Sequence, residues 1–362
     1  MEDRKIRVAI THGDTNGIGY EVILKAFEDP TMLELCTPII YGSAKAATYH
    51  RNALQLPTQF SIINQASEAH EGRLSLLNTF DDEVKIELGT PTPESAEAAR
   101  KAMQRAKEDL KAGLYDVLVQ APTVSSGRPD TEDKSLLVLF ADDIRIALVT
   151  SHLPLKEVAE SISTEKIVAK ATLFHRSLKR DFRVNNPRIA ILALNPRPGT
   201  EEEEIIRPAI GELEKAGIQA YGPYLADDFF GNSQQYSFDG ILAMYDDQGN
   251  VPFKTLATEY GVKMKTGFPF VITTPDHDPC FEQAGKGIAD PASMRHAIYA
   301  ALDVYRNRIS YDEPMGNPLP KLYHEKREDG DKARFTVKAK DQFRHDDKKP
   351  AKEETPAEQP KE

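Results

Sequence analysis

Arg7-Val-Ala-Ile-Thr11-His-Gly-Asp-Thr-Asn-Gly-Ile-Gly-Tyr-Glu21 is the stretch whose reading decides the fold class. An apolar run is followed by Gly13, Gly17 and Gly19, and a helix begins near Tyr20. A short continuous apolar run suits a strand covered on both faces. The same kind of run recurs at Pro38–Tyr41, Asp116–Gln120, Arg145–Thr150, Arg188–Ala193 and Gly240–Met244. Helical segments lie between them. The clearest takes Thr92 as N-cap and Pro93 as first helical residue, then has an alanine-rich body to Lys111 and a stop at Gly113. Alternating strands and helices predict an α/β fold with a largely parallel sheet. No internal repeat is visible.

The chain has 362 residues, 40% of them hydrophobic, enough for one large core or two medium ones. No apolar run approaches the roughly 20 residues that cross a bilayer. Met1-Glu-Asp-Arg-Lys5 leads into a strand and does not read as a signal peptide. Cys36 and Cys280 form no CxxC pair, which argues against a disulfide framework or thiolate zinc site and points to a reducing, cytoplasmic setting. A net charge of −11 without a basic patch argues against nucleic-acid binding. From Lys326 to Glu362 the chain is dominated by Lys, Glu and Asp, and reads as a disordered tail, either solubilising or partner-binding.

Three segments carry candidate chemistry. The Thr11–Glu21 turn offers either a helix N-terminus for an anion or a plain strand-to-helix turn, because its glycines do not follow the GxGxxG spacing. Met244-Tyr-Asp-Asp-Gln-Gly-Asn-Val-Pro-Phe-Lys254 puts Asp246 and Asp247 at a strand end, followed by a turn glycine. The two carboxylates could hold a hard cation or act as a base, or form a polar turn. Thr273–Pro291 packs Asp276, His277, Glu282 and Ala284-Gly-Lys-Gly287 together between helical segments. So dense a polar and glycine cluster points to function more than packing; its glycines allow close backbone approach, and Glu282 could bind ribose hydroxyls.

In this order, the three segments resemble the 4-hydroxythreonine-4-phosphate dehydrogenase family, whose patterns are T-x-G-D-x-x-G-I-G-x-E, M-Y-H-D-Q-G-x-x-P-x-K and D-H-G-T-A-x-D-x-A-G-K-G. Leu148–Leu155, Leu194-Asn-Pro196, Gly222-Pro223 and Ala226-Asp227 match between them, so the resemblance covers about residues 4 to 325. It implies the isocitrate/isopropylmalate dehydrogenase fold, two α/β domains with an interdomain cleft, here 1–125 with 275–325 and 126–274. It also implies a homodimer that completes each site, a small phosphorylated substrate, NAD, and a divalent metal (Zn, Mg or Mn) that polarises the reacting oxygen.

The carried-over residues are mixed. His152 matches the first metal histidine, Arg197 stands for the second and Asp246 for the third. Lys254 and Asp247 match catalytic and substrate positions, while Lys263 replaces a substrate asparagine and Ile272 a substrate arginine. Glu282, Gly285, Lys286, Gly287 and Asp290 match the cofactor segment, with Asp278 and Cys280 in place of a glycine and an alanine. The 123–135 connection is shorter than the family's and lacks its G-H-T-E clamp. A guanidinium has no lone pair for a metal and could instead pair with Asp246, while Lys263 could replace part of the charge missing at Ile272. Each lost charge-assisted contact costs about 1.5–3 kcal/mol. The expectation is an NAD-dependent dehydrogenase with a degraded metal and substrate site, the alternative a catalytically silent nucleotide-binding paralogue or partner subunit.

Overall fold

The computed structural model describes residues 4–80, 84–123, 135–257 and 260–316. The tail expected at 326–362 and most of the 123–135 connection lie outside the described residues. Twelve strands, β1 Arg7–Thr11, β2 Thr37–Gly42, β3 Ser61–Ile63, β4 Ser75–Asn78, β5 Val117–Gln120, β6 Leu136–Ala141, β7 Ile144–Leu148, β8 Arg188–Leu192, β9 Gln219–Tyr224, β10 Gly240–Ala243, β11 Val262–Thr266 and β12 Val271–Pro275, form one sheet. Its helices are α1 Gly19–Ala26, α2 Met32–Leu35, α3 Ala44–Ala53, α4 Pro93–Lys111, α5 Leu155–Val158, α6 Thr164–Arg180, α7 Arg207–Lys215, α8 Ala226–Gly231, α9 Asp246–Leu256 and α10 Ala292–Gly316. Among the described residues no helix is long and apolar enough to cross a membrane.

The strand order is β3-β4-β2-β1-β5-β12-β11-β6-β7-β10-β8-β9. The first six strands are mutually parallel, and so are the last four. Between them β12–β11, β11–β6 and β6–β7 are antiparallel. Three reversals in a row make β7 antiparallel to β12, so the two parallel halves run in opposite senses.

The six runs read as strands from sequence are strands, and β1 and β2 are buried almost throughout, as a sheet covered on both faces requires. Helix α4 begins where its caps place it. The Thr92 hydroxyl accepts from the Ser95 N–H at 3.1 Å, the Ser95 hydroxyl accepts from the Thr92 N–H at 3.2 Å, and Ala98, Ala102 and Ala106 face the sheet. Gly249, expected in a turn, lies inside α9. A Cβ there would fall 2.5 Å from Leu148 Cδ2, so glycine lets the helix lie close on β7.

Apolar clusters cover both faces of each half, and Phe140 and Phe182, edge to face at 5.0 Å, pack against the cores of both. The expected pair of domains thus meets a continuous sheet, within a compact unit spanning residues 1–316. A buried ion pair fastens the seam. Arg308 of α10 donates to Asp181 at the end of α6 at 2.7 Å and to the Phe268 and Phe270 carbonyls, and Asp181 also accepts from Ser177 and Thr266. Both side chains are at most 5% exposed. Removing one partner of such a pair leaves a bare buried charge. Arg308→Leu is therefore expected to lower unfolding free energy by about 3–5 kcal/mol in urea titration, with part recovered in Arg308→Leu/Asp181→Leu. An Arg308→Leu midpoint equal to wild type would show that the pair does not fasten the seam.

Candidate functional site

The Thr11–Glu21 turn is buried along its whole length. A Cβ on Gly13 would lie 2.4 Å from the Pro122 carbonyl oxygen, on Gly17 2.7 Å from that of Pro279, and on Gly19 2.1 Å from that of His12. The Asp14 N–H donates to Pro122 O at 3.1 Å and the Ile18 N–H to Pro279 O at 3.0 Å. The Asp14 carboxylate accepts from the Asn16 N–H and from the Ser95 hydroxyl. The glycines are thus required by close backbone approach within the chain, and a buried carboxylate sits among the N–H groups that an anion would use. Of the two readings the turn allowed, the structure favours the packing one.

What the turn positions is the third segment. The buried Glu21 carboxylate accepts from the Ala289 N–H at 3.0 Å and from Lys25 Nζ at 2.8 Å. Lys25 Nζ also donates to the Gly287 and Ala289 carbonyls at 2.8 and 2.9 Å. This pair at i, i+4 on α1 clamps residues 287–289 through backbone atoms. Glu282, Gly285, Lys286, Gly287, Ile288 and Asp290 are exposed around that anchor. Gly285 and Gly287 have φ of +77° and +69°, the left-handed region glycine favours. The space beside Gly285 is taken by Leu88 Cδ1, 2.6 Å from where a Cβ would stand. Asp290 accepts from the Ala292 N–H at 2.9 Å and leads into α10, so the segment joins a strand, β12, to a helix.

At the end of β12, Lys263 Nζ lies 2.6 Å from the Asp276 carboxylate, whose side chain is 4% exposed. The ammonium is neutralised there and does not act as a spare charge for Ile272. Ile272 is itself 8% exposed and packs in the apolar cluster of Ala9, Tyr41 and Leu118. His277 Nδ1 lies 2.9 Å from the Asp278 carbonyl oxygen, its Nε2 is buried without a partner, and burial holds its pKa below the usual value. The Cys280 thiol is raised by burial and by Glu282 and Asp278, and this is opposed in part by the Lys254 charge.

Lys254 is near the C-terminal end of α9; Asp246 and Asp247 start it. Gln248 fixes that start, accepting from the Met244 N–H at 2.7 Å and donating to the Ala193 carbonyl at 2.6 Å. The Asp246 carboxylate accepts from the His152 backbone N–H, and His152 is exposed with φ +58°. His152 and Asp246 are therefore brought together. Because β7 and β10 run opposite to β12, they leave the sheet at the end away from residues 276–290, and α9 bridges part of the interval. Asp247 is exposed beside them. Arg197 is also exposed and does not pair with Asp246. The loop after it is closed by buried Glu202, which accepts from the Asn195 and Gly199 N–H groups at 2.9 and 2.6 Å. Burial raises the Glu202 pKa, but these donors outweigh it and hold it low.

Within one chain, only part of the donor set that the resemblance implies for a divalent ion is brought together. Among the described residues no three His, Cys, Asp or Glu side chains converge on one point. Asp246 spends an oxygen on the backbone of His152, and Arg197 brings a fixed positive charge. Residues 282–290 fit a ribose-bearing ligand better, because Glu21 and Lys25 hold them through backbone atoms with Glu282 and Lys286 in solvent. Sequence reasoning missed Glu21, Lys25 and Glu202, and their i, i+4 spacing and proximity to glycines were the signals that could have found them.

His12 was missed as well. It is buried between Tyr20, parallel at 5.1 Å, and Phe80, with both ring nitrogens unpartnered, and burial pushes its pKa down to about 4.

The chain matches the family model described as pyridoxal phosphate biosynthetic protein PdxA over residues 34–128 and 127–301. It is 51% identical over 358 residues to a 4-hydroxythreonine-4-phosphate dehydrogenase of Bacteroides thetaiotaomicron, covering 92% of this chain and 98% of that one. It is 32% identical to the protein of that name from Sulfurihydrogenibium sp., covering 84% and 99%. The crystal structure of a 4-hydroxythreonine-4-phosphate dehydrogenase from Burkholderia phymatum superimposes with a TM-score of 0.66 at 27% identity, covering 83% and 99%.

Because His12 is depressed when folded, the unfolded chain takes up its proton first as pH falls below 6.5, and stability is lost between there and about 4. Between pH 7 and 5 this amounts to about 2 kcal/mol. Urea unfolding of His12→Leu should show a smaller acid loss than wild type by that amount. Equal losses would contradict it.

Proposed function

Since the chain belongs to the PdxA family of 4-hydroxythreonine-4-phosphate dehydrogenases, we propose that it is a cytoplasmic NAD-dependent oxidoreductase acting on a small phosphorylated hydroxy acid, with weak turnover of 4-hydroxythreonine phosphate. The single observation that carries this reading is the clamp of Glu21 and Lys25 on residues 287–289, which keeps the cofactor segment rigid while the metal donors are replaced. NAD, when bound, supplies the hydride acceptor. Glu282 would accept hydrogen bonds from its ribose hydroxyls, and Gly285, Lys286 and Gly287 would hold it by close backbone approach and positive charge. Asp290 supports the segment by starting α10. Lys254 meets the substrate phosphate as a point charge, and Asp247 takes the hydroxyl proton.

We place the substrate side in 126–274 and the nucleotide side in 1–125 with 275–325, and we infer a homodimer. The support for the dimer is topological. His152, Asp246 and Asp247 leave the sheet at one end and residues 276–290 at the other, so a neighbouring chain is the natural source of the missing half of each site. A specific observation also supports the second reading, a catalytically silent nucleotide-binding paralogue: Lys263 is engaged with Asp276 and Ile272 is packed in the core, which leaves few cations for the substrate phosphate.

Calorimetry with NAD at millimolar concentration should give a saturable heat that Gly285→Trp abolishes, since the larger side chain displaces Leu88 and distorts the turn. NADH formation from 4-hydroxythreonine phosphate should be slow and unchanged by chelator. No heat with wild type would remove the nucleotide proposal, and fast turnover would contradict the weak substrate site.

A further inference from the structure

A cavity of about 310 Å3 lies between the β6–β7 hairpin, the end of α6 and the face of α10 that carries His296, Ala300 and Asn307. That volume is at the lower end of the range of small-molecule sites. None of the three sequence segments contributes to it. Its walls are aromatic. Tyr260 and His296 stack with centroids 4.3 Å apart, and Phe140 meets Phe182 edge to face.

Among the described residues, one cation of this lining has no counterion. The Arg145 guanidinium lies 5.1 Å from the Phe182 ring centre. Its two terminal nitrogens donate to the backbone carbonyls of Asp143 and Asp142 at 3.2 and 3.3 Å, and its Nε is buried with no hydrogen-bond partner. Five N–H donors are thus matched by two neutral acceptors. Burial pushes the Arg145 pKa down, and the more distant Asp143 and Asp239 offset this only in part. The other acids of the lining are committed or solvated. Asp181 belongs to Arg308, Asp303 stands on the rim 3.4 Å from Arg306, and Asp142 is exposed at the hairpin tip.

We propose that this cavity binds a small planar aromatic carboxylate, its ring against Tyr260, His296 and Phe182 and its carboxylate on Arg145. Ring faces contribute stacking, and a carboxylate supplies the charge-assisted acceptor that the guanidinium lacks. A ligand there touches the hairpin of one half of the sheet and α10 of the other. The site is separate from the dehydrogenase reading and stands or falls without it.

The test uses the full chain, with benzoate as probe and phenol and benzamidine as the neutral and cationic rings of similar size. Ligand-observed NMR titration without NAD should give saturable benzoate binding, with phenol and benzamidine at least tenfold weaker. Ala300→Phe, which fills the cavity without removing a charge, should weaken benzoate at least tenfold, and Arg145→Gln should do the same. Should Arg145→Gln fail to fold, Ala300→Phe decides alone. No benzoate binding, equal binding of phenol or benzamidine, or unchanged affinity in Ala300→Phe would overturn the proposal.

Discussion

Three antiparallel pairings in succession, β12 with β11, β11 with β6 and β6 with β7, turn the sheet around in its middle. Ligands of open α/β sheets gather where parallel strands end. In this sheet those places lie at opposite ends. The segment after β12 carries the glycine-rich turn, and the segments after β7 and β10 carry His152, Asp246 and Asp247. Helix α9, with Lys254 near its C-terminal end, bridges part of the distance. The Arg308–Asp181 pair sits at this reversal and ties α10 to the end of α6 across it.

The first and third segments act as one object. Glu21 and Lys25 hold residues 287–289 through backbone atoms, Ile18 donates to Pro279, and Asn16 holds the loop at residues 87–90 from which Leu88 reaches Gly285. Buried hydrogen bonds to charged groups are worth about 1.5–3 kcal/mol each, so the glycine-rich turn is fixed more firmly than its exposure suggests. This firmness does not depend on any residue of the metal set, so one half of the site can be kept while the other changes.

Much of the fold was legible in the sequence, for local reasons. The six buried strands announce themselves as continuous apolar runs, and α4 by Thr92, Pro93 and Ser95. Strands that lie in the reversed middle are harder. β11, Val262-Lys-Met-Lys-Thr266, alternates buried and accessible residues, and the pairing order that places it beside β6 is set by long-range contacts that no local pattern encodes. Gly249 looked like a turn because glycine usually breaks helices, whereas its role is the close contact of α9 with Leu148. At the site, substitutions were readable residue by residue, but their consequences were not. That Lys263 is engaged by Asp276, that Arg197 stays in solvent, and that Asp246 holds the His152 backbone all depend on geometry.

The proposed function joins a glycine-rich segment held by Glu21 and Lys25 to a metal-donor set in which Asp246 and Arg197 replace histidines. A carboxylate for a histidine is tolerable in a metal site, because oxygen also binds such ions, but a guanidinium repels them and cannot be deprotonated. The most direct measurement is elemental analysis of protein purified without chelator, beside Arg197→His/Asp246→His treated identically. The account predicts far less than one zinc, manganese or magnesium per wild-type chain and a gain of metal in the double variant. Stoichiometric metal in the wild type would contradict it.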